Sequence, residues 1–186
     1  MRIACFLTKV FLGLFLSVSS MVFGACDTFT AVSGGGTTNA SNTGFSLGLS
    51  SDGTVWAWGE GNNGQLGNGV SVDSNIRQQV LNLTGVTAIS AGGQHALALK
   101  NDGTVWAWGL GTSGQLGNGL GTSSNIPVQV LNLDNVTQIA AGNAFSMALK
   151  SDGTVRAWGI NTNGQLGAGT TSSNFSPVQV IDSALG

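Results

Sequence analysis

Tyrosine is absent from the 186 residues, histidine occurs once and proline twice. Charged residues are scarce too, at 8% against a usual ~25%. Each shortage closes off a class of function. Without tyrosine there is no phenolic nucleophile, and a single His95 provides neither a metal pair nor a proton relay. The six basic residues are scattered and the net charge is -2, so no face can track a phosphate backbone and nucleic acid is not an expected partner. What is abundant is glycine, at 30 residues, well above its usual ~7% share. With 41% hydrophobic residues recurring in register, the chain reads as many short strands joined by tight turns rather than as disorder.

The first 25 residues, Met1–Ala25, read as a secretory signal helix. Arg2 and Lys9 make a basic start, and Val10–Phe23 is an almost unbroken apolar run of 14 residues. That run is shorter than the about 20 residues a membrane-spanning helix needs. Gly24 and Ala25 supply the small residues of a cleavage site, so the mature protein is expected to be exported, whether extracellular, periplasmic or on an outer surface. Cysteine occurs twice, and Cys5 leaves with the leader, so Cys26 can form no internal bridge. Cys26 follows V-F-G-A, which resembles a bacterial lipoprotein-processing box with Phe23 in place of leucine. Two routes stay open: processing at the box lipidates and tethers Cys26, whereas cleavage after Gly24 or Ala25 leaves the protein free.

The rest of the chain is organised around S-D-G-T-V-W-A-W-G (Ser51–Gly59) followed by G-Q-L-G-N-G (Gly64–Gly69). The same words return at Asn101–Gly109 with Gly114–Gly119, and at Ser151–Gly159 with Gly164–Gly169. Asp52, Asp102 and Asp152 are 50 residues apart. The repeat signature in the first unit is Asp52, Gly53, Trp58, Gly59, Gly64, Gln65, Leu66 and Gly67. In the second it is Asp102, Gly103, Trp108, Gly109, Gly114, Gln115, Leu116 and Gly117. In the third it is Asp152, Gly153, Trp158, Gly159, Gly164, Gln165, Leu166 and Gly167. A fixed period of this size marks a propeller or solenoid, whose units cannot bury their apolar faces alone.

One unit divides into four strands. Val86–Gly93 alternates and ends in glycines, His95–Lys100 alternates again, and Asn101-Asp102-Gly103 predicts a hairpin through a primed turn with positive φ. Thr104–Gly109 is the third strand, the Gly/Asn/Ser-rich Leu110–Asn125 a loop, and Pro127–Leu133 the fourth strand. The third unit repeats this as Val136–Ala140, Phe145–Lys150, Thr154–Gly159 and Pro177–Ile181. The first opens with Thr30–Gly36, and its extra Thr37–Thr43 reads as a loop excursion before Phe45. Four strands joined by short turns make a β-propeller blade. The expected fold is therefore all-β, with three blades (29–85, 86–135, 136–181) after the leader. Closed propellers use typically four to eight blades, so three form an open arc, a partial propeller with apolar end faces. Either the chain is part of a longer propeller, or two copies pair into a ring of six, or the arc stands partly capped.

Several residues invite a chemical reading. Asp52, Asp102 and Asp152 sit at equivalent turns of successive blades, which suits hairpins better than convergent metal ligands. The Gly-Gln-Leu-Gly segments lack the G-K-[ST] ending of a phosphate loop. Gln65, Gln115 and Gln165 are expected to satisfy backbone groups inside tight loops that Leu66, Leu116 and Leu166 pin to the blades. His95 shares its strand position with Phe45 and Phe145, which makes it a packed side chain rather than a base. Trp56, Trp58, Trp106, Trp108 and Trp158 recur at two repeat positions, as expected for packing between blades. Arg156, in the slot of Trp106, is expected either to be exposed at a free edge or to reach a neighbouring blade's carbonyls. No catalytic, cofactor-binding or metal residue is assigned.

The segment Ala91–Gly119, A-G-x-x-H-x-L-A-L-x-x-D-G-x-V-W-x-W-G-x-x-x-x-G-Q-L-G-x-G, resembles the repeat of the regulator of chromosome condensation family. Phe145 and Phe45 for His95, Arg156 for Trp106 and Ala168 for Asn118 are departures from it. The resemblance implies seven-bladed propellers, with guanine-nucleotide exchange and chromatin binding as functions. The leader and the three-blade count point elsewhere, to a non-catalytic exported scaffold that offers loops 37–43, 110–113 with 119–125, and 170–176 to a protein partner. S-D-G-T-V-W is also similar to the Asp-box of sialidases, but Asp52 and Gly53 are adjacent where that box spaces them by one residue. Those enzymes use a tyrosine nucleophile and an arginine cluster, and only Arg77 and Arg156 follow the leader, so a glycosidase is rejected.

Overall fold

The computed structural model describes residues 28–37 and 43–181. The leader, Cys26 and the middle of the Thr37–Thr43 insert lie outside the described residues. Strands β1 (Phe29–Gly36), β2 (Gly44–Ser50), β3 (Val55–Gly59) and β4 (Ser74–Gln79) form the first sheet. The second contains β5 (Val86–Ala91), β6 (His95–Lys100), β7 (Val105–Gly109) and β8 (Ser124–Gln129). The third contains β9 (Val136–Ala141), β10 (Phe145–Lys150), β11 (Val155–Gly159) and β12 (Asn174–Gln179). Each sheet is an antiparallel meander in sequence order, the propeller blade that the repeat predicts. Successive blades stack, with β5 against β1 and β2, and β9 against β5 and β6.

Two local expectations need correction. The β2–β3, β6–β7 and β10–β11 hairpins form where Asp-Gly stands, but not through two-residue primed turns. Gly53 N–H donates to the Ser50 carbonyl at 3.0 Å, and the positive φ falls on Gly53 (+80°) alone, not on Asp52. This is a longer turn closed by a left-handed glycine. Asp52 acts through its side chain, whose Oδ1 accepts the Thr54 N–H at 2.9 Å and the Thr54 hydroxyl at 2.7 Å. The outer strands are also displaced: β8 and β12 begin three residues before Pro127 and Pro177 and end at Gln129 and Gln179. Val130 and Leu133 are buried, but three residues apart around a corner where Asn132 has φ +51°, so V-L-N-L is a bend rather than a strand. Both prolines lie on outer edge strands, where no ladder donor is lost.

Strand alternation sorts each blade's residues onto two faces. From the second blade, Ala96, Ala98 and Trp108 join the first blade's Leu47, Leu49 and Val55 in one core. Its Leu97, Leu99, Val105 and Ala107 face the other way and pack with Ala148 and Trp158 of the third blade. The hydrophobic core is thus two slabs, one in each junction. At the ends of the β1–β2 pair Thr37 N–H donates to the Thr43 carbonyl at 3.1 Å.

Candidate functional site

The repeated tryptophan holds neighbouring blades together. Trp108 and Trp158 are fully buried, and their indole N–H groups donate to the backbone carbonyls of Gln65 and Gln115 in the preceding blade, each at 2.9 Å. Gly67 and Gly117 leave the notch that these rings fill: a Cβ on Gly117 would come within 2.7 Å of the Trp158 indole nitrogen. Among the described residues no blade precedes Trp58, and it packs instead on Phe29, with ring centroids 6.3 Å apart. Trp56 and Trp106 are half-buried on the same faces; Arg77 lies 4.6 Å over Trp56, and Lys100 5.9 Å over Trp106. Arg156 occupies the Trp106 slot half-buried, where its charge helps lower the pKa of Asp152.

Glutamine and leucine do what their positions predict. The Gln65, Gln115 and Gln165 side-chain carbonyls accept the backbone N–H of Asn63, Ser113 and Asn163 at 2.8, 2.9 and 2.9 Å. Leu66, Leu116 and Leu166 are fully buried beneath these loops. Gly64, Gly114 and Gly164 all take positive φ at the loop starts, and Gly59, Gly109 and Gly159 do so at the strand ends, where a Cβ would strike the chain entering the second strand. Asp52, Asp102 and Asp152 stand exposed at the opposite end of the blades. The threonine bonds of each turn hold these carboxyls below the ordinary aspartate range. Asp134 is lowered as well, chiefly by Lys150 at 3.0 Å. Among the described residues, no three His, Cys, Asp or Glu side chains gather at one point.

His95 is buried in the second junction and takes part in a link that the sequence alone did not reveal. Ser146 of the third blade donates its hydroxyl to the Gln115 carbonyl at 2.9 Å and so accepts from His95 Nε2, also at 2.9 Å. The proton therefore sits on Nε2, which leaves Nδ1 a bare buried acceptor. Burial pushes the ring's pKa down to about 4, so it is neutral at physiological pH. In the first junction the corresponding residues are Phe45 and Ala96. The signal was available: offsetting the repeats by one blade pairs phenylalanine with alanine and histidine with serine. Ser33 and Ser90 were missed as well; their hydroxyls accept the Ala91 and Ala141 backbone N–H of the next blade, both at 3.0 Å.

The long β3–β4, β7–β8 and β11–β12 loops share one end of the blades with the β1–β2, β5–β6 and β9–β10 bends, since Glu60 N–H reaches the Gly44 carbonyl at 2.9 Å. In loops 60–73, 110–123 and 160–173 the only charged residues are Glu60 and Asp73. A polar cleft between the first two blades is lined by Asn62, Asn63, Ser71, Ser123, Ser124 and Asn125, with Ile126 at its edge. Asn125 clamps it from the second blade: its carbonyl accepts Gly69 N–H at 2.9 Å and its side-chain amide donates to the Gly69 carbonyl at 2.8 Å. Directly beyond this bonded pair, Val70 (50%), Val72 (61%) and Ile126 (40%) lie open to solvent.

Comparisons with known proteins agree with this geometry. The regulator of chromosome condensation (RCC1) repeat model matches residues 52–99, 102–149 and 152–184, and a second model of the same repeat matches 86–115 and 136–165. No curated protein matches at the level of sequence. Among solved structures, human WBSCR16 is similar at 27% identity and TM-score 0.67, over 75% of this chain and 38% of its own. Prp20p of Saccharomyces cerevisiae, described with its binding to Gsp1p and histones, is similar at 22% identity and TM-score 0.65, over 75% and 37%. Yeast RCC1 (Prp20) in complex with Kap60 gives TM-score 0.69 at 20% identity, over 84% and 37%. This chain therefore spans under two-fifths of the length of each. With the repeat model covering more than half of its residues in three blades, the chain belongs to the regulator of chromosome condensation (RCC1) repeat family.

Proposed function

We propose that the protein is an exported, non-catalytic scaffold whose loop face holds a protein partner. The observation that carries this reading is the exposed Val70, Val72 and Ile126 beside an uncharged Asn/Ser cleft. Apolar side chains rimmed by neutral polar groups suit a protein surface. The absence of any basic residue from the three long loops disfavours a phosphate-bearing ligand. The repeat signature is spent on frame, and among the described residues the buried, neutral His95 meets Ser146 and no carboxylate that would make it a base. A photo-crosslinking residue in place of Asn63 should give a discrete protein adduct in the exported fraction, and the same residue at Asn101, on the opposite face, should not. Val72→Asp should abolish the adduct; equal labelling from both faces would contradict the reading.

Export rests on the Met1–Ala25 leader, and the lipid tether on Cys26 after V-F-G-A. Mass spectrometry of the mature N-terminus separates the two routes, because an unmodified Cys26 removes the tether. A second reading, guanine-nucleotide exchange on a small GTPase, draws on the repeat family to which the chain belongs. Acceleration in a nucleotide-release assay would favour exchange over the scaffold.

A further inference from the structure

We propose that Asn118 is a site of self-modification, where the chain converts asparagine to aspartate and isoaspartate without an enzyme. The reaction needs an asparagine whose following backbone nitrogen can reach its side-chain carbonyl carbon. Glycine in second place favours it, because no Cβ obstructs the approach. Gly119 N gives its proton to a base and bonds to Asn118 Cγ; the Cγ–Nδ2 bond breaks and ammonia leaves. Water then opens the cyclic imide, at Cγ to give aspartate or at the main-chain carbonyl to give isoaspartate.

Four Asn-Gly steps stand in the repeat loops: Asn63-Gly64, Asn68-Gly69, Asn118-Gly119 and Asn163-Gly164. Each glycine N–H is held, but the holders differ. Gly64 and Gly164 donate inside their own loops, to the Gly61 carbonyl at 2.8 Å and the Asn161 carbonyl at 3.0 Å. Buried Leu66 and Leu166 pin those loops, so these two nitrogens are freed only when a blade's own core opens. Gly69 and Gly119 donate instead to the next blade, to the Asn125 and Phe175 carbonyls, both at 2.9 Å. A slight parting of neighbouring blades frees them.

Asn118 is the less guarded of this pair in three respects. Asn125 also donates its side-chain amide to the Gly69 carbonyl at 2.8 Å, whereas Phe175 in its place has no side-chain donor to offer Gly119. Gly119 is exposed and Gly69 half-buried, so a base reaches the Gly119 nitrogen more readily. Leu120 N–H donates to Asn118 Oδ1 at 3.0 Å, against 3.3 Å from Val70 N–H to Asn68 Oδ1. Such a bond folds the carboxamide forward over the Asn-Gly peptide and draws electron density from Cγ. The third repeat has Ala168 before Gly169 and lacks the reaction there altogether. Conversion places the first charge in loop 110–123, close to the 58% exposed Leu120. The isoaspartate form also adds a carbon to the backbone that carries Gly119 to Phe175.

The test is to hold the full chain in mildly alkaline buffer and follow each asparagine by peptide mapping with mass spectrometry. Asn118 should convert first, to a mixture of aspartate and isoaspartate with an equal amount of ammonia released. Asn68 should lag about fivefold, the worth of one further hydrogen bond, and Asn63 and Asn163 should lag more. Asn125→Ala should bring Asn68 up to the rate of Asn118 and leave Asn118 unchanged. If Asn125→Ala fails to fold, Asn125→Asp, which keeps the shape but cannot donate, takes its place. In urea the four rates should draw together. The proposal is overturned if another of the four converts before Asn118, or if Asn118 persists in the folded chain while the urea-unfolded chain converts. A lead for Asn118 that survives in urea overturns it too, as does an Asn68 rate that neither Asn125 variant raises.

Discussion

Replacing His95 with phenylalanine should remove most of the acid sensitivity of the second junction. The ring is neutral and buried in the folded chain, with its pKa lowered by burial from 6.5 to about 4. In the unfolded chain it takes a proton below about pH 6.5, whereas the folded chain resists protonation until about pH 4. The unfolded state therefore binds more protons across this window, and stability falls as the pH falls through it. At about pH 4.5 the loss relative to neutral pH is roughly 2–3 kcal/mol, or roughly 5–10 °C in Tm for a domain of this size. Phe45 and Phe145 occupy the same position in the other blades, so the larger ring has precedent there. At neutral pH the substitution loses the bond to Ser146 but also removes the bare Nδ1, so His95→Phe should lie within about 1 kcal/mol of the parent. Adding Ser146→Ala recreates the Phe45–Ala96 pair of the first junction and should be milder than Ser146→Ala alone. That single change strands both ring nitrogens, at about 1–3 kcal/mol. Scanning calorimetry of the four proteins at neutral pH and near pH 4.5 decides the matter. Equal acid losses in the parent and in His95→Phe would refute the reasoning.

Other perturbations separate frame from surface. Trp108→Ala should cost about 3–5 kcal/mol in chemical denaturation, and Trp58→Ala, at the half-open end, clearly less. Gly114→Ala and Gly164→Ala share a left-handed backbone cost of about 1–2 kcal/mol, but only Gly114 abuts the next blade, so Gly114→Ala should be the more damaging. Asp102→Ala should lower Tm by freeing Thr104 N–H and its hydroxyl, with Asp102→Asn intermediate. Millimolar calcium should leave the parent's Tm unchanged, and a calcium-dependent rise would mean that these aspartates bind metal.

The second and third strands of each blade were legible in the sequence because two signals coincide there: strict alternation in H-A-L-A-L-K and V-W-A-W-G, and an Asp-Gly turn between them. The fourth strand was not, because V-L-N-L alternates in composition while its buried residues lie three apart around a corner. Aspartate's part in the turn was mistaken for backbone geometry, since a side chain that bonds two residues ahead leaves the same Asp-Gly signature as a primed turn. The glutamine, leucine and buried tryptophan roles were legible because their repetition ties them to equivalent surroundings. The His95–Ser146 link and the serine-to-amide links join different blades, so no single repeat contains both partners. The loop cleft escaped for a similar reason, since Gly69 and Asn125 meet only when blades stack.

The claim beneath all of this is that the repeated tryptophan spans from one blade to the next. Indole N–H exchange, followed by NMR, tests it most directly. Trp108 and Trp158 should exchange only through global unfolding, while Trp106, bonded to Thr104 in its own turn, should exchange through local opening. Exchange of Trp108 and Trp158 as fast as that of Trp106 would contradict the account.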